Sequence, residues 1–562
     1  MAQEVVNIPR ESTMRQMMLS QKINAEGAAD LAYKEKVALA TTKEEVDALF
    51  VEWWKYQYHP DLHTKSEMLE RWFGNVLDDD RVHGVSFPLY GTSTSAVGEL
   101  TDDSVGLTVT PSTEETAGQD DFAKLPQFWC LEVSAEKLTD GSHEIYYIEH
   151  IDSMKKVRSG EHLTWVLQKN TWTREWDEGG YRYLKMRCHP APGYEQWPDG
   201  EDKNGNVYAY MAHPKYPAGE LDGVITCGTG LAPLNWTSHT TGVSKWRARG
   251  EQYSGASGNL VKFLLRMMWL KYAQKGNAGK ITGCNQYNYQ YTAAISEVGV
   301  ERVILTKAQA ANLYVGSSVQ IGIQSGTDRN TASNYSVCRN KLITRIEDFE
   351  VEDDETEYSA VYVDNGGETF DTTAGSTLIS TDPYWSGWND NVKGTDGSRY
   401  SATSGKEPGL LQKIEFMHGA YLIVSDELWQ WSTDDNGDYN FECHTCHDQS
   451  KVASSITANY EKQEDLTMVI PAGTAAGWKY IEDTAISKDP AVLWPAGIGA
   501  SGSGVGCKAA FNCSPAASGV RAAWVFGTLS NGGTAGLACR GSDLGVTAAG
   551  WVGALGAPGL AG

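Results

Sequence analysis

Apolar residues recur at helical spacing near the start of the chain and at strand spacing through most of the rest. Thr42-Lys-Glu-Glu45 has the form of a capping box, and Val46, Leu49, Phe50 and Trp53 follow it at i, i+3, i+4 and i+7. Thr64-Lys-Ser-Glu67 repeats the signal ahead of Met68, Leu69, Trp72 and Phe73. The pattern predicts a helical region over 1–80, its stripes serving as packing faces within or between subunits. From Val82 to Thr226 the runs shorten to GVSFPLYG, QFWCLEVSAE, HEIYYIEHI, HLTWVLQKNTWTREW and RYLKMRCH. Turn pairs such as Asp199-Gly200 and Asp222-Gly223 divide them, which predicts a β-rich region over 81–226.

One helix stands out after that. Leu260, Phe263, Leu264, Met267, Met268 and Tyr272 repeat an apolar face, and the density of apolar residues around them predicts burial on more than one side. Lys262, Arg266 and Lys271 interrupt the run, which is also too short to span a membrane. VERVILT, SSVQIGI, NKLITRIEDFEVE and YSAVYVDN then predict a small β unit over 301–384, with the acidic run Glu350–Glu357 as a solvated turn rather than a metal site.

The stretch 497–562 is rich in glycine and nearly uncharged, carrying only Lys508, Arg521, Arg540 and Asp543. A flexible linker has such content, but a linker does not hold Phe511, Trp524, Phe526 and Trp551 at regular intervals. A compact, loop-rich unit whose turns need glycine fits better. Its GVRAAWVFGTLSNGGTAGLAC (519–539), the small residues after it, Trp551 and the Gly-Ala-Pro-Gly end resemble the C-terminal variable domain of phage and prophage proteins diversified by retroelements. Upstream, Ile414–Gly419 through Trp429-Gln-Trp431 is similar to the GN-x-WEW strand region of formylglycine-generating and other C-type-lectin-like domains.

That resemblance implies an α+β chain: a C-terminal C-type-lectin-like domain over 227–300 plus 385–562, with its variable region near 519–562 and the small β domain 301–384 inserted. The helices and the β-rich region precede it. It further implies mutation at adenines, mostly in Asn codons, which cannot yield Lys, Glu, Gln, Met or Trp. From Arg540 to Gly562 only Trp551 lies outside the reachable set. The implied ligand-facing variable positions are Arg540, Gly541, Ser542, Asp543, Gly545, Thr547, Ala548, Gly550, Val552 and Gly553. Trp429, Trp431, Trp524, Phe526, Leu537, Leu544 and Trp551 are implied as fixed frame. The function implied is that of a phage tail receptor-binding protein. Its expected partners are a host surface receptor, protein or glycan, and other virion tail proteins, and its expected state is a homotrimer.

Charge and composition narrow the classes. With 562 residues, 41% hydrophobic and 21% charged, the chain has a globular balance and length for roughly three or four domains. A net charge of −25 argues against nucleic acid as a partner. MAQEVVNIPRESTMRQMM has no apolar h-region or lipobox cysteine. Neither secretion nor membrane insertion is therefore expected, and the virion tail is the expected location.

Candidate chemistry is sparse. Cys443-His-Thr-Cys446-His447 has the form of a haem attachment site, but haem attachment needs export, and a zinc site needs a second ligand pair that is not evident. Asp434-Asp-Asn436-Gly-Asp438-Tyr-Asn440 alternates oxygen side chains as calcium loops do, yet a hairpin turn at Asn436-Gly437 explains it more simply. No cofactor is expected beyond structural calcium or zinc as minor alternatives. His143–His150 alternates as a strand, not as a zincin helix. No catalytic residue is assigned. Two alternatives stand beside the receptor-binding reading: a purely structural virion protein, and a formylglycine-generating-type oxidase drawing on Cys507, Cys513 and Cys539.

Overall fold

A computed structural model describes residues 11–202, 204–323, 332–548 and 552–555. The molecule is strand-rich, of mixed α and β structure, with several separate sheets.

Helices α1 (Glu11–Leu39), α2 (Lys43–Gln57) and α3 (Lys65–Arg71) open the chain. Thr42 caps α2 by accepting from the Glu45 amide, and Thr64 with Glu67 forms a full capping box on α3. The apolar stripe of α2 turns Val46, Phe50 and Trp53 inward, with Leu49 half-buried beside them. Rings of Phe50, Trp53, Trp72 and Trp129 pack edge-on or tilted, 5.1–5.8 Å apart. This cluster contains buried Asp30, whose carboxylate accepts from Trp53 Nε1 at 2.9 Å, Arg71 Nη2 at 2.9 Å and Asn75 Nδ2 at 3.0 Å.

The β-rich region forms two larger antiparallel sheets and a hairpin pairing Gly219–Leu221 with Val224–Thr226. One is five-stranded, in the spatial order Glu99–Asp102, Val82–Pro88, Tyr181–Arg187, Trp172–Glu178, Glu195–Gln196. The other runs His143–Ile148, Cys130–Lys137, Leu163–Lys169, Tyr210–Pro214. Helix α4 (His239–Arg249) follows, then α5 (Gly258–Tyr272), capped by Ser257 and closed by Ala273 in the left-handed region. Every residue of α5 is buried. The helix touches both the Val82 strand and the C-terminal sheet, so one apolar cluster runs continuously from α1 to Cys539.

The six-stranded antiparallel sheet between Gln290 and Thr381 has its own apolar cluster, including Val303, Leu305, Val319, Ile321, Val361 and Ile379. Residues 350–357 form an exposed turn between two of its strands. The largest sheet is C-terminal. Its main order is Glu461–Lys462, Tyr439–Thr445, Tyr421–Thr433, Gly519–Phe526, Gly536–Gly541, Ala510–Cys513, Gly477–Tyr480.

Candidate functional site

The long Tyr421–Thr433 strand organises the C-terminal sheet. Trp429 and Trp431 point from it into the core and meet Phe441, with ring centroids 5.1 and 4.3 Å away. Trp524, Phe526 and Leu537 are buried on the neighbouring strands. Phe526 closes its strand at φ 77°, where the pairing with Gly536 slips register. Trp551 lies outside the described residues.

The structure corrects three of the expected ligand-facing positions. Arg540, Gly541 and Ser542 are buried. Arg540 and Gly541 end a strand held on both sides, antiparallel to Trp524–Val525 and parallel to Phe511–Asn512, so no edge is left open for a ligand. Arg540 turns into the core, where Nε donates to the Leu493 carbonyl at 3.2 Å. Gly541 faces the Trp524 indole. Ser542 Oγ donates to the Asn512 carbonyl at 3.1 Å and accepts from the Ser514 amide at 3.2 Å.

From Asp543 the chain leaves the sheet and crosses the surface. Asp543 and Thr547 are exposed, while Gly545 and Ala548 are half-buried. Between them Leu544 packs on the main core and Val546 on the satellite cluster of Val243, Leu428 and Tyr460. Main-chain bonds fix the path. The Ala522 amide donates to the Leu544 carbonyl at 3.0 Å, and Gly545 bridges Arg521. The Val546 carbonyl accepts from the Thr240 amide at 3.0 Å, satisfying an otherwise orphaned N–H in the first turn of α4. None of these bonds uses a side chain at 543, 545, 547 or 548. Among the described residues, a Cβ on Gly545 would meet nothing within 4 Å. The exception is the Asp543 carboxylate, which accepts from Trp524 Nε1 at 2.8 Å. Gly550 lies outside the described residues. Val552 and Gly553 fall in the Val552–Leu555 strand, which runs parallel to Tyr421–Ile423.

Behind this surface lies a polar pocket that sequence reasoning did not anticipate. Val424 pairs with Ala523 and Leu428 with Ala522, so Ser425, Asp426 and Glu427 form a bulge with no partner on that side. The bulge aims them at α4 and α5. Ser425 O meets His239 Nε2 at 2.9 Å, and Asp426 Oδ1 accepts from the Gly258 amide at 3.0 Å, at the positive end of α5. Burial pushes the Glu427 carboxyl up to about 7 despite nearby Arg540. A cavity of about 460 Å³ opens here, lined by Asp426, Asn259, Asp202, His447, Gln449 and Asp489. His447 Nε2 bonds the Asp489 carboxylate at 2.8 Å, which lifts the imidazole to about 9. The only sequence signal was the charged Asp426-Glu427 pair inside the apolar run YLIVSDELWQW.

The other candidate motifs resolve locally. Cys443 and Cys446 are buried, and burial raises both thiols, Cys446 to about 11. Cys507, Cys513 and Cys539 are likewise buried, and burial raises the first two to about 12 and 11. Among the described residues no group of His, Cys, Asp and Glu side chains is placed to hold a metal ion. Asp434 Oδ1 accepts from the Asn436 and Asp438 amides, both at 2.9 Å, and Gly437 takes φ 85°, so this loop is a hairpin turn. His143 lies on a strand, His143–Ile148. Among the described residues no helix is long and apolar enough to cross a membrane. No protein-family model matches the chain, and no curated protein matches it.

Proposed function

We propose that this chain is a phage or prophage tail receptor-binding protein whose C-terminal part, in a C-type-lectin-like arrangement, displays a retroelement-diversified ligand surface. The observation that carries the reading is the hold on 543–548. Its path is set by main-chain hydrogen bonds and by the inward anchors Leu544 and Val546, independently of most outward side chains. A segment built this way tolerates exchange at its outward positions, because exposed substitutions rarely change stability by more than ~0.5 kcal/mol. The reading retains Asp543, Gly545, Thr547 and Ala548 as ligand-facing and drops Arg540, Gly541 and Ser542. The displayed residues include no aromatic anchor, so single-site affinity is weak and useful adhesion needs several copies. A homotrimer in the virion tail, facing a host surface receptor, meets that need.

The test is adsorption to host cells by virions carrying block substitutions at 545, 547 and 548, with Asp543 kept because it bonds Trp524. Loss or retargeting of adsorption with unchanged melting supports the proposal; unchanged adsorption overturns it. Sequencing the 3′ coding end in a growing population, with a search for a neighbouring near-repeat mismatched at adenines, tests diversification separately.

A further inference from the structure

Around Lys262 and Arg266, helix α5 buries more positive charge than its surroundings neutralise. Lys262 and Arg266 lie one turn apart on one face, with relative exposures of 3% and 1%. The carboxylate bonded to this pair is Glu175, and it meets Arg266 but not Lys262; Arg182, which also bonds it, has Asp177 as a second partner. Glu175 Oε2 accepts from Arg266 Nη2 at 2.6 Å, while its other oxygen accepts from Arg182 at 2.9 Å. Arg266 stacks on Trp269, 4.0 Å from the ring centre, and its Nε and Nη1 are buried without a hydrogen-bond partner among the described residues. The Lys262 ammonium donates to the Val492 carbonyl at 2.9 Å, and among the described residues it has no carboxylate within ion-pair distance.

Both side chains line a cavity of about 270 Å³. Glu175, Leu184 and Trp197 share its interior, and exposed Arg174, Lys488, Glu195 and Asp465 stand around its mouth. The mouth charges cancel, and the floor retains the positive excess. A buried cation without a counter-charge is costly, and an unpartnered buried guanidinium N–H adds to that cost. In a chain of net charge −25 this is a local reversal of sign.

We propose that this cavity binds a compact oxyanion, a phosphate, sulfate or carboxylate group, with Arg266 and Lys262 as its charge-assisted donors. The anion supplies the missing counter-charge and accepts from the idle guanidinium N–H groups. The volume equals roughly nine waters, enough for the anionic group and a short body. The site is separate from the surface at 543–548 and does not depend on its role.

Proton linkage gives the site a signature. Burial, then Arg266, pulls the Lys262 amine down to about 7; Glu175 and Asp489 act to raise it, and Arg182 to lower it. A bound anion favours the ammonium form, so binding above neutrality takes up a proton. Sulfate stays fully ionised over this range. Its affinity therefore falls by up to about tenfold per pH unit above pH 7.

The experiment is calorimetric titration of the full chain with sodium sulfate and with glycerol 3-phosphate, against sodium chloride at equal ionic strength. The expected result is saturable binding of both that weakens from about pH 6 to about pH 9. Equal affinity for the two means that the anion alone is recognised, whether free or carried on a polymer. Tighter glycerol 3-phosphate means that an esterified phosphate is the natural form. Lys262→Met, which removes an uncompensated buried charge, should fold at least as stably and lose the pH dependence. Lys488→Glu, at the exposed mouth, should weaken binding several-fold without affecting melting. The proposal is overturned if neither anion binds beyond the chloride control, or if binding is the same in wild type, Lys262→Met and Lys488→Glu.

Discussion

The indole of Trp524 fills the space that a side chain at position 541 would need: a Cβ on Gly541 would fall 1.6 Å from Trp524 Cζ2. The two residues are paired across adjacent strands, so neither can move without breaking the ladder. Gly541→Ala should therefore lose at least about 3 kcal/mol, the upper end of overpacking costs, or fail to fold. Equilibrium denaturation measures this. In a library randomised over 540–548, glycine should be the residue retained at 541 among folded clones. Free exchange at 541 would mean that the strand does not pair as described.

Position 545 is the counterpart. Its Cβ would touch none of the described residues, and no positive φ restricts it. Gly545→Ser, Gly545→Asn and Thr547→Ala should each stay within ~0.5 kcal/mol of wild type. Asp543→Ala should cost about 1 kcal/mol, because it strands Trp524 Nε1. Leu544→Ala should cost about 1–2 kcal/mol, a fraction of a full core truncation, since Leu544 is half-buried. Shifts in denaturation midpoint at constant m-value rank these four positions. The frame reading of Leu544 fails if its truncation is as silent as that of Thr547.

These contrasts show what sequence could and could not tell. The caps at Thr42 and Thr64, the strand at His143, the hairpin at Asn436-Gly437 and the burial of the 258–272 helix were all legible, because each depends on residues close together in the chain. The fate of 540–542 was not. A run of small residues signals little steric demand, but it does not say whether water or a second strand covers it. Arg540 misled most, since an arginine in a small-residue run reads as surface, whereas its partners at Leu493 and Glu427 are distant in sequence. Lys262, Arg266 and Lys271 read only as interruptions of an apolar run. Lys271 is neutralised by Asp120 at 2.8 Å and Asp396 at 2.6 Å, contacts that cannot be inferred from local pattern.

Glu427 makes stability depend on pH. Its folded value, raised by burial to about 7, lies above the ordinary 4.5. The folded state therefore binds the proton more tightly than the unfolded chain. The contribution is fully present below about 4.5 and is lost as pH rises through 7, on the order of 3 kcal/mol in all. Burial raises Glu70 to about 7 as well, so its loss runs in the same direction. Glu427→Gln cannot ionise and should flatten this part of the curve. Denaturation at pH steps across the window should show wild type losing stability faster than Glu427→Gln. Parallel curves would place Glu427 in contact with solvent.

Protonated His447 is charged where protonated Glu427 is neutral, but its raised value erodes stability in the same direction. The hydrogen bond that the imidazolium donates to the Asp489 carboxylate lifts the ring from 6.5 to about 9, so its contribution is complete below 6.5 and lost as pH rises through 9. The imidazole itself is half-exposed, and solvent screening keeps its worth small. The direct measurement is an NMR titration of the ring carbon protons. Wild-type His447 should still be protonated at neutral pH, and Asp489→Asn should return it towards 6.5. The same titration tests the Cys-x-x-Cys-His motif. Zinc binds neutral imidazole and thiolate, whereas here the ring is held as imidazolium and burial raises Cys446 to about 11. Added zinc should therefore leave the His447 titration unchanged in wild type. A zinc-dependent drop to an acidic midpoint would mean that the ion displaces Asp489 and that the motif is a metal site after all.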